Sequence, residues 1–334
     1  MAILPRESGQ FIEKLSKNVK ICDEKITNLS EKLFDELQKG NISPAGFSEH
    51  PCHPVANDAA FNWIFFVDTI NFCFWSADGA HWEVNWMGNS YTGYFALCAA
   101  VNRAMEEGVN VTDPRVYSQW QLADLEYVLR GDNGVQLLLL PERLDCLRQV
   151  GKRLLEKYQG NFANCVKENQ HSAQKLLKLI VSEFPCYCDE ADYNGERVSF
   201  YKRAQILIGD VWSCFEGKGL GAFEDIDTIT MFADYRVPQV LVHFGVLQYS
   251  KELYKKLEMG ELLPNGSPDE VEIRGCSIEA VERLRNRVQQ LTHGSGKSLS
   301  CNSILIDHFL WTYRRQCREE LDAVPFHKTI CIFY

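Results

Sequence analysis

Residues 225–239 read DIDTITMFADYRVPQ, a run in which carboxylates, aromatic rings and an arginine crowd closer than a regular helix surface would space them. Asp234 stands near its centre, after the apolar Met231, Phe232 and Ala233 and before Tyr235, Arg236, Val237 and Pro238. Pro238 biases Val237 out of the α region, so the run predicts a bend, a place where backbone N–H groups can fix a carboxylate. Two uses fit such an aspartate. It can cap a proline-initiated helix, or it can face a developing positive charge as a nucleophile or an electrostatic stabiliser. The residue types alone leave both open.

Other chemistry-bearing runs fall short of a motif. His50, Cys52 and His53 lie close together, and Cys186 and Cys188 precede Asp189 and Glu190, but neither cluster has the CxxC or HxxxH spacing of a zinc site, so no metal is expected. HGSGKS at 293–298 ends like a phosphate-cradling loop, yet that pattern needs a glycine at 291, where leucine stands, and a strand before it; it reads as a surface loop. GKGLG at 217–221 lacks the third glycine of a dinucleotide fingerprint and follows a helix. Neither GxSxG nor HExxH occurs, and no cofactor is expected.

The elements that must position such residues are mostly helical. Apolar residues recur at three- and four-residue steps across 11–37, predicting one or two amphipathic helices that stop at Gly40, and again across 95–105, 122–129, 144–158, 172–184, 201–215, 279–291 and 304–317. Residues 57–74, rich in aromatics, predict a buried helix running into an extended piece. One β-ribbon is predicted over 82–94, where WEVNW and YTGY flank Met87–Ser90. The polar run CYCDEADYNGER at 186–197 reads as a connection between two lobes, with the boundary near 186–198 inside one catalytic unit of residues 1–334. The fold class is mainly α, two helical lobes with a small β-ribbon.

Composition narrows the classes. With 334 residues, 46% of them hydrophobic and 24% charged, the chain can bury a large core without staples. Its 35 basic against 45 acidic residues give a net charge of −10, which opposes tracking along a polyanionic duplex and leaves a small anionic ligand possible. Thirteen irregularly spaced cysteines imply reduced thiols. The most apolar stretch, 204–212, is broken by Gly209 and Asp210, and MAILPRESGQF lacks the pattern of a secretory leader, so a cytoplasmic protein with no membrane partner is expected.

The strings FYKRAQILIGDVW (200–212), ITMFADYRVPQVL (229–241), VEIRGCSIEAVE (271–282), SILIDHFLW (303–311) and VPFHKTICIFY (324–334), with NWIFFVDTINFCFWS (62–76) and YTGYFALCAAVNRA (91–104) upstream, closely resemble the queuosine salvage family. The resemblance implies a fold similar to the helical, helix-hairpin-helix type DNA glycosylases. It implies an enzyme that cleaves the N-glycosidic bond of queuosine 5′-monophosphate to queuine and ribose 5-phosphate, a monomer acting on a small molecule without direct nucleic-acid contact.

Residue by residue, the resemblance places Asp234 at the anomeric carbon, where positive charge develops in an oxocarbenium-like transition state. Asp307 falls at the base, where a carboxylate can accept from the guanine-like N1–H and exocyclic amine together. Phe232, Ala233 and Tyr235 flank the acid, with the rings of Phe232 and Tyr235 offering a stacking face or packing in the core, while Asn302 and Ser303 add hydrogen bonds ahead of Asp307. Lys202 completes the catalytic set by holding the 5′-phosphate or the ribose, with Arg236, Arg203 and Lys218 as competitors and a solvated helix-end lysine as the alternative. A substrate-contacting histidine is implied in EHPCHP, where His50 fits better than His53, and Asp68 is implied to bind the substrate's amine or hydroxyls, a buried structural hydrogen bond being equally compatible. A repair glycosylase on the same fold and a non-catalytic nucleotide carrier stay open as alternatives.

Overall fold

Pro5 at the first helical position and Lys14 in the last turn delimit α1 (Pro5–Leu15). A computed structural model of the chain describes residues 2–76, 79–295 and 299–334. The last three residues of HGSGKS therefore lie outside the described residues. The periodicity across 11–37 is not one helical run: β1 (Val19–Ile21) interrupts it before α2 (Asp23–Gln38), which opens on the acidic Asp23 and Glu24 and ends before Gly40 at φ +80°. Val19, spaced as a helical residue, sits in a strand because its partner lies far along the chain.

The next stretch is helical apart from one hairpin. A single turn, α3 (Ala45–Ser48), precedes α4 (Asp58–Thr69), at whose start the Asn57 side chain accepts the Ala59 N–H and which is buried almost all round, as its aromatic content requires. The expected ribbon forms between β2 (Glu83–Trp86) and β3 (Asn89–Thr92), with a tighter turn than the sequence suggests: Met87 and Gly88 both take positive φ, the type I′ geometry that matches strand twist. Six helices follow, α5 (Tyr94–Glu106), α6 (Pro114–Tyr117), α7 (Leu122–Val128), α8 (Leu140–Tyr158), α9 (Phe162–Glu168) and α10 (Ala173–Glu183), the last capped by Ser172.

Residues 186–197 are more than the loop that their polarity predicts. After a 3-10 turn, β4 (Glu190–Tyr193) pairs with β5 (Glu196–Ser199) across Asn194–Gly195, again with both φ positive. Then come α11 (Lys202–Cys214), α12 (Arg236–His243), β6 (Leu247–Tyr249), α13 (Lys251–Glu258), α14 (Pro268–Ser295), α15 (Ser303–Gln316) and α16 (Arg318–Leu321). The helix expected at 279–291 is the C-terminal half of the 28-residue α14. β6 runs antiparallel to β1, Val19 facing Tyr249, so the described residues hold three two-stranded sheets in place of the single ribbon expected.

Two compact units share the chain. Unit 1 comprises Met1–Pro44, Asp189–Gln205 and Ile226–Ile330; unit 2 comprises Ala45–Cys188, Ile206–Asp225 and Cys331–Tyr334. In unit 1, α14 packs against α1, α2, α12 and α15. The α1 crossing is close because Gly9 and Gly275 carry no side chain: a Cβ on Gly275 would stand 2.5 Å from Ile12 Cδ1. In unit 2, α4 packs against α5, α8 and α9, with Phe65 stacked 4.5 Å from Phe162, and the buried Arg143 donates to the carbonyls of Ile70, Phe72 and Cys73, fixing the extended piece after α4. The cysteines stand as thiols, mostly buried. Among the described residues no helix is long and apolar enough to cross a membrane.

Candidate active site

Residues 229–235 cross unit 1 without regular secondary structure, and all but Asp234 are buried. Irregular chain in a core needs partners for its backbone groups, and here three helices supply them. Gln205 of α11 receives the Thr230 N–H on Oε1 at 2.9 Å and returns a bond from Nε2 to the Thr230 hydroxyl at 2.8 Å. Asp307 of α15 accepts the Phe232 N–H on Oδ2 at 2.9 Å. Arg274 of α14 donates from Nε to the Ala233 carbonyl at 2.9 Å.

Arg274 is itself held. Its Nη1 and Nη2 reach the two oxygens of Asp189 at 3.0 and 2.6 Å, Nη1 also reaches Glu270 at 3.2 Å, and the guanidinium lies 4.0 Å over the Phe200 ring. Asp189 Oδ2 in turn accepts the Lys202 N–H at 3.1 Å, at the start of α11. One buried, fork-shaped ion pair therefore ties the residue before Asp234 to the backbone of Lys202.

Asp234 makes the cap with one carboxylate oxygen and leaves the other open. Its N–H turns back to the Phe232 carbonyl at 2.7 Å, and Oδ1 accepts the N–H groups of Arg236 at 2.8 Å and Val237 at 3.1 Å, closing the N-terminus of α12. Oδ2 has no partner among the described residues, and the side chain is half exposed. The bend falls at Asp234 and Tyr235, not at Val237 as the proline predicts. Val237 and Pro238 lie in the first turn of α12, where a missing N–H leaves no helical bond unmade.

Asp307 is buried near the start of α15. Burial above all, then the charge of Asp234, pushes its carboxyl well above the usual carboxylate range, against the Phe232 N–H and the Lys202 charge. Lys202 is buried as well, so it is not the solvated helix-end lysine that its position allows. The side-chain oxygen of Asn302 accepts the Leu305 N–H at 3.0 Å, and the Ser303 hydroxyl donates to Glu282 at 2.6 Å; both side chains fix the start of the Asp307 helix.

The Phe232 ring lies 6.0 Å from His308, and the Tyr235 ring 5.4 Å from Phe326. Arg236 spreads its guanidinium 4.5 Å over Phe326 and bonds Gln239 at 3.1 Å. Unit 1 thus gathers Lys202, Phe232, Ala233, Asp234, Tyr235, Arg236, Asn302, Ser303 and Asp307. His50 and Asp68 belong to unit 2. The His50 ring is stacked 3.7 Å from Phe95, and its Nδ1 accepts the Cys52 N–H at 3.2 Å, which leaves Nε2 as the donor of the neutral ring. Asp68 is buried on α4 and accepts from Asn71 at 3.0 Å. Gln205, Arg274 and Asp189 were not among the expected site residues; Gln205 and Arg274 stand out only as polar residues on largely apolar helices, and Asp189 is hidden in a polar run.

Against this geometry, a family model described as queuosine salvage protein matches residues 52–334. The chain belongs to the queuosine salvage family. A relative from Mus musculus is 47% identical over 99% of this chain and 98% of its own length, and one from Bos taurus 46% identical over 99% of both. A bacterial relative, from Sphaerobacter thermophilus, is 38% identical over 91% of this chain and 90% of its own. Each of the three is named queuosine 5′-phosphate N-glycosylase/hydrolase. The queuosine salvage match takes in every element that clamps residues 229–235, since α11, α12, α14 and α15 all fall within 52–334.

Proposed function

We propose that the protein is a queuosine 5′-monophosphate N-glycoside hydrolase, releasing queuine for reuse in tRNA together with ribose 5-phosphate. The observation that carries this reading is the state of Asp234: one oxygen locked by two N–H groups, the other open, at the end of a segment clamped from α11, α14 and α15. A carboxylate so held cannot swing away from a cation that forms in front of it, and it needs no reorganisation when the ribosyl carbon becomes positive. Asp234 acts there as stabiliser or nucleophile. Water supplies the oxygen of the released sugar.

The other roles follow from the same frame. Asp307 meets the hydrogen-bonding edge of the 7-deazaguanine, which has no N7 lone pair to protonate, so help for the leaving group comes from elsewhere on the ring. Phe232 and Tyr235 offer flat surfaces, and Lys202 and Arg236 supply positive charge for the ribose and phosphate. The helical architecture is, on this reading, a variant of the helix-hairpin-helix type glycosylase fold and the protein a cytoplasmic monomer, and the net charge of −10 supports a free nucleotide as substrate in place of a duplex. Incubation with queuosine 5′-monophosphate and with guanosine 5′-monophosphate, followed by mass spectrometry, tests it. Queuine without guanine is the expected result, and nucleotide binding with neither base released would make the protein a carrier.

A further inference from the structure

Asp234 and Asp307 are held differently. Asp234 is half exposed and accepts two N–H groups; Asp307 is buried and accepts one, on Oδ2, while Oδ1 bonds nothing among the described residues. A proton on Oδ1 removes the cost of a buried anion and leaves Oδ2, now the carbonyl oxygen, to the Phe232 N–H. Each element packed against Asp307 presents its charges. Asp234, before α12, opposes ionisation and Lys202 of α11 favours it. Arg236 of α12 is turned to Gln239 and Phe326. On α14, Glu282 is engaged with Ser303, Arg6 and Arg285, and Arg274 with Asp189, Glu270 and Ala233. Burial and Asp234 prevail, so the neutral carboxyl is the favoured form.

We infer that Asp307 works as a neutral acid: with the nucleotide bound as proposed above, Oδ1–H donates to the carbonyl oxygen of the 7-deazaguanine while Oδ2 accepts its N1–H. This replaces the carboxylate reading, in which both oxygens accept from N1–H and the exocyclic amine. The two pairings share the N1–H and differ in its neighbour, the carbonyl oxygen in one and the exocyclic amine in the other. In the neutral pairing, the glycosidic bond breaks with its electron pair left on the ring nitrogen, and the charge spreads through the conjugated ring to the carbonyl oxygen. The Asp307 proton passes to that oxygen, water adds to the anomeric carbon and releases a proton, and that proton restores Asp307. The enol proton then exchanges through solvent to the ring nitrogen, giving the free base with one water consumed. A buried carboxyl that keeps its proton, beside one fixed by two backbone N–H groups, is how a glycosidase divides acid and stabiliser between like side chains.

Asp307→Asn is the test variant, because its amide oxygen still accepts from Phe232 while its NH₂ takes the place of the acidic hydroxyl without a proton to transfer. Wild-type kcat/KM should fall as pH rises through the Asp307 titration; the variant should bind substrate with similar KM, turn over about 10²- to 10⁴-fold more slowly and lack that alkaline limb. A substrate without the 2-amino group should react within a few-fold of the parent, whereas a carboxylate reader would lose about ten- to a hundredfold with it. Melting temperatures of the two proteins need no substrate. A raised carboxyl pKa stabilises the fold below the ordinary carboxylate value and loses that contribution as pH rises to the raised one, so the variant should gain on wild type across that window. Diverging melts with no turnover of queuosine 5′-monophosphate would sink the proposed reaction and keep the proton on Asp307. Parallel melts, or the same alkaline limb in both proteins, would overturn the inference.

Discussion

Replacing Arg274 by methionine should do more damage to unit 1 than any nearby core substitution of similar size. The change removes the bidentate pair with Asp189 at 3.0 and 2.6 Å, the bond to Glu270 at 3.2 Å and the donor to the Ala233 carbonyl at 2.9 Å, all of them buried. Taking one partner from a buried ion pair costs about 3–5 kcal/mol, because the remaining charge stays desolvated. The Ala233 carbonyl adds about 1–3 kcal/mol if nothing replaces its donor. Set against the roughly 5–15 kcal/mol by which a natural domain is stable, the variant should be near the edge of folding at 37 °C. Arg274→Lys keeps the charge but loses the fork and should recover only part of the loss. Asp189→Asn on top of Arg274→Met should restore part of that stability, since an amide still accepts the Lys202 N–H and carries no charge to bury, while Glu270 and the Ala233 carbonyl stay without the arginine. Urea unfolding followed by tryptophan fluorescence gives the midpoints at fixed slope. A loss below about 1 kcal/mol for Arg274→Met, or a double variant weaker than the sum of the singles, would refute the reasoning.

Two further substitutions test the frame. Gly275→Ala gains up to about 1 kcal/mol of helix propensity, but its Cβ would lie 2.5–2.7 Å from three atoms of Ile12, so calorimetry should show a lower melting temperature, with relief when Ile12→Ala is added. His327 is buried near Arg274, and both effects hold its ring down at about 3, so the folded protein keeps it neutral while the unfolded chain binds a proton near the ordinary value of 6.5. The stability tied to that difference is present above about pH 6.5 and lost as pH falls toward 3, so between pH 7 and 5 wild type should lose about 2 kcal/mol more than His327→Gln in urea titrations, and equal losses would show the ring to be charged in the fold.

The helices that carry the site were legible because their apolar faces repeat over three turns or more, as in residues 201–215 and 304–317. Asp234 was legible as a residue that must be fixed: Oδ1 makes the cap, and the open Oδ2 leaves room for the catalytic reading offered beside it. What stayed hidden is long-range. β1 and β6 are three residues each and pair across more than two hundred positions, which no local period can signal. Asp189 lay in a run read as a connection, where Asn194–Gly195 is itself a hairpin cue that the surrounding polarity masked. Arg274 and Gln205 act on backbone groups of residues 229–235, and a sequence does not show which carbonyl a buried side chain will find. Asn302 and Ser303, marked for the substrate by resemblance, carry a cap and a helix–helix bond that their types equally allow.

The account rests most directly on Asp234. Asparagine at this position caps a helix as well as aspartate does, so Asp234→Asn should keep the Arg236 and Val237 bonds and fold with an unchanged melting temperature. Single-turnover release of queuine from queuosine 5′-monophosphate, measured on that variant beside wild type, should fall by at least about 10³-fold, the loss expected when a preorganised charge is taken from the transition state. Queuine release at the wild-type rate from a folded Asp234→Asn protein would contradict the account.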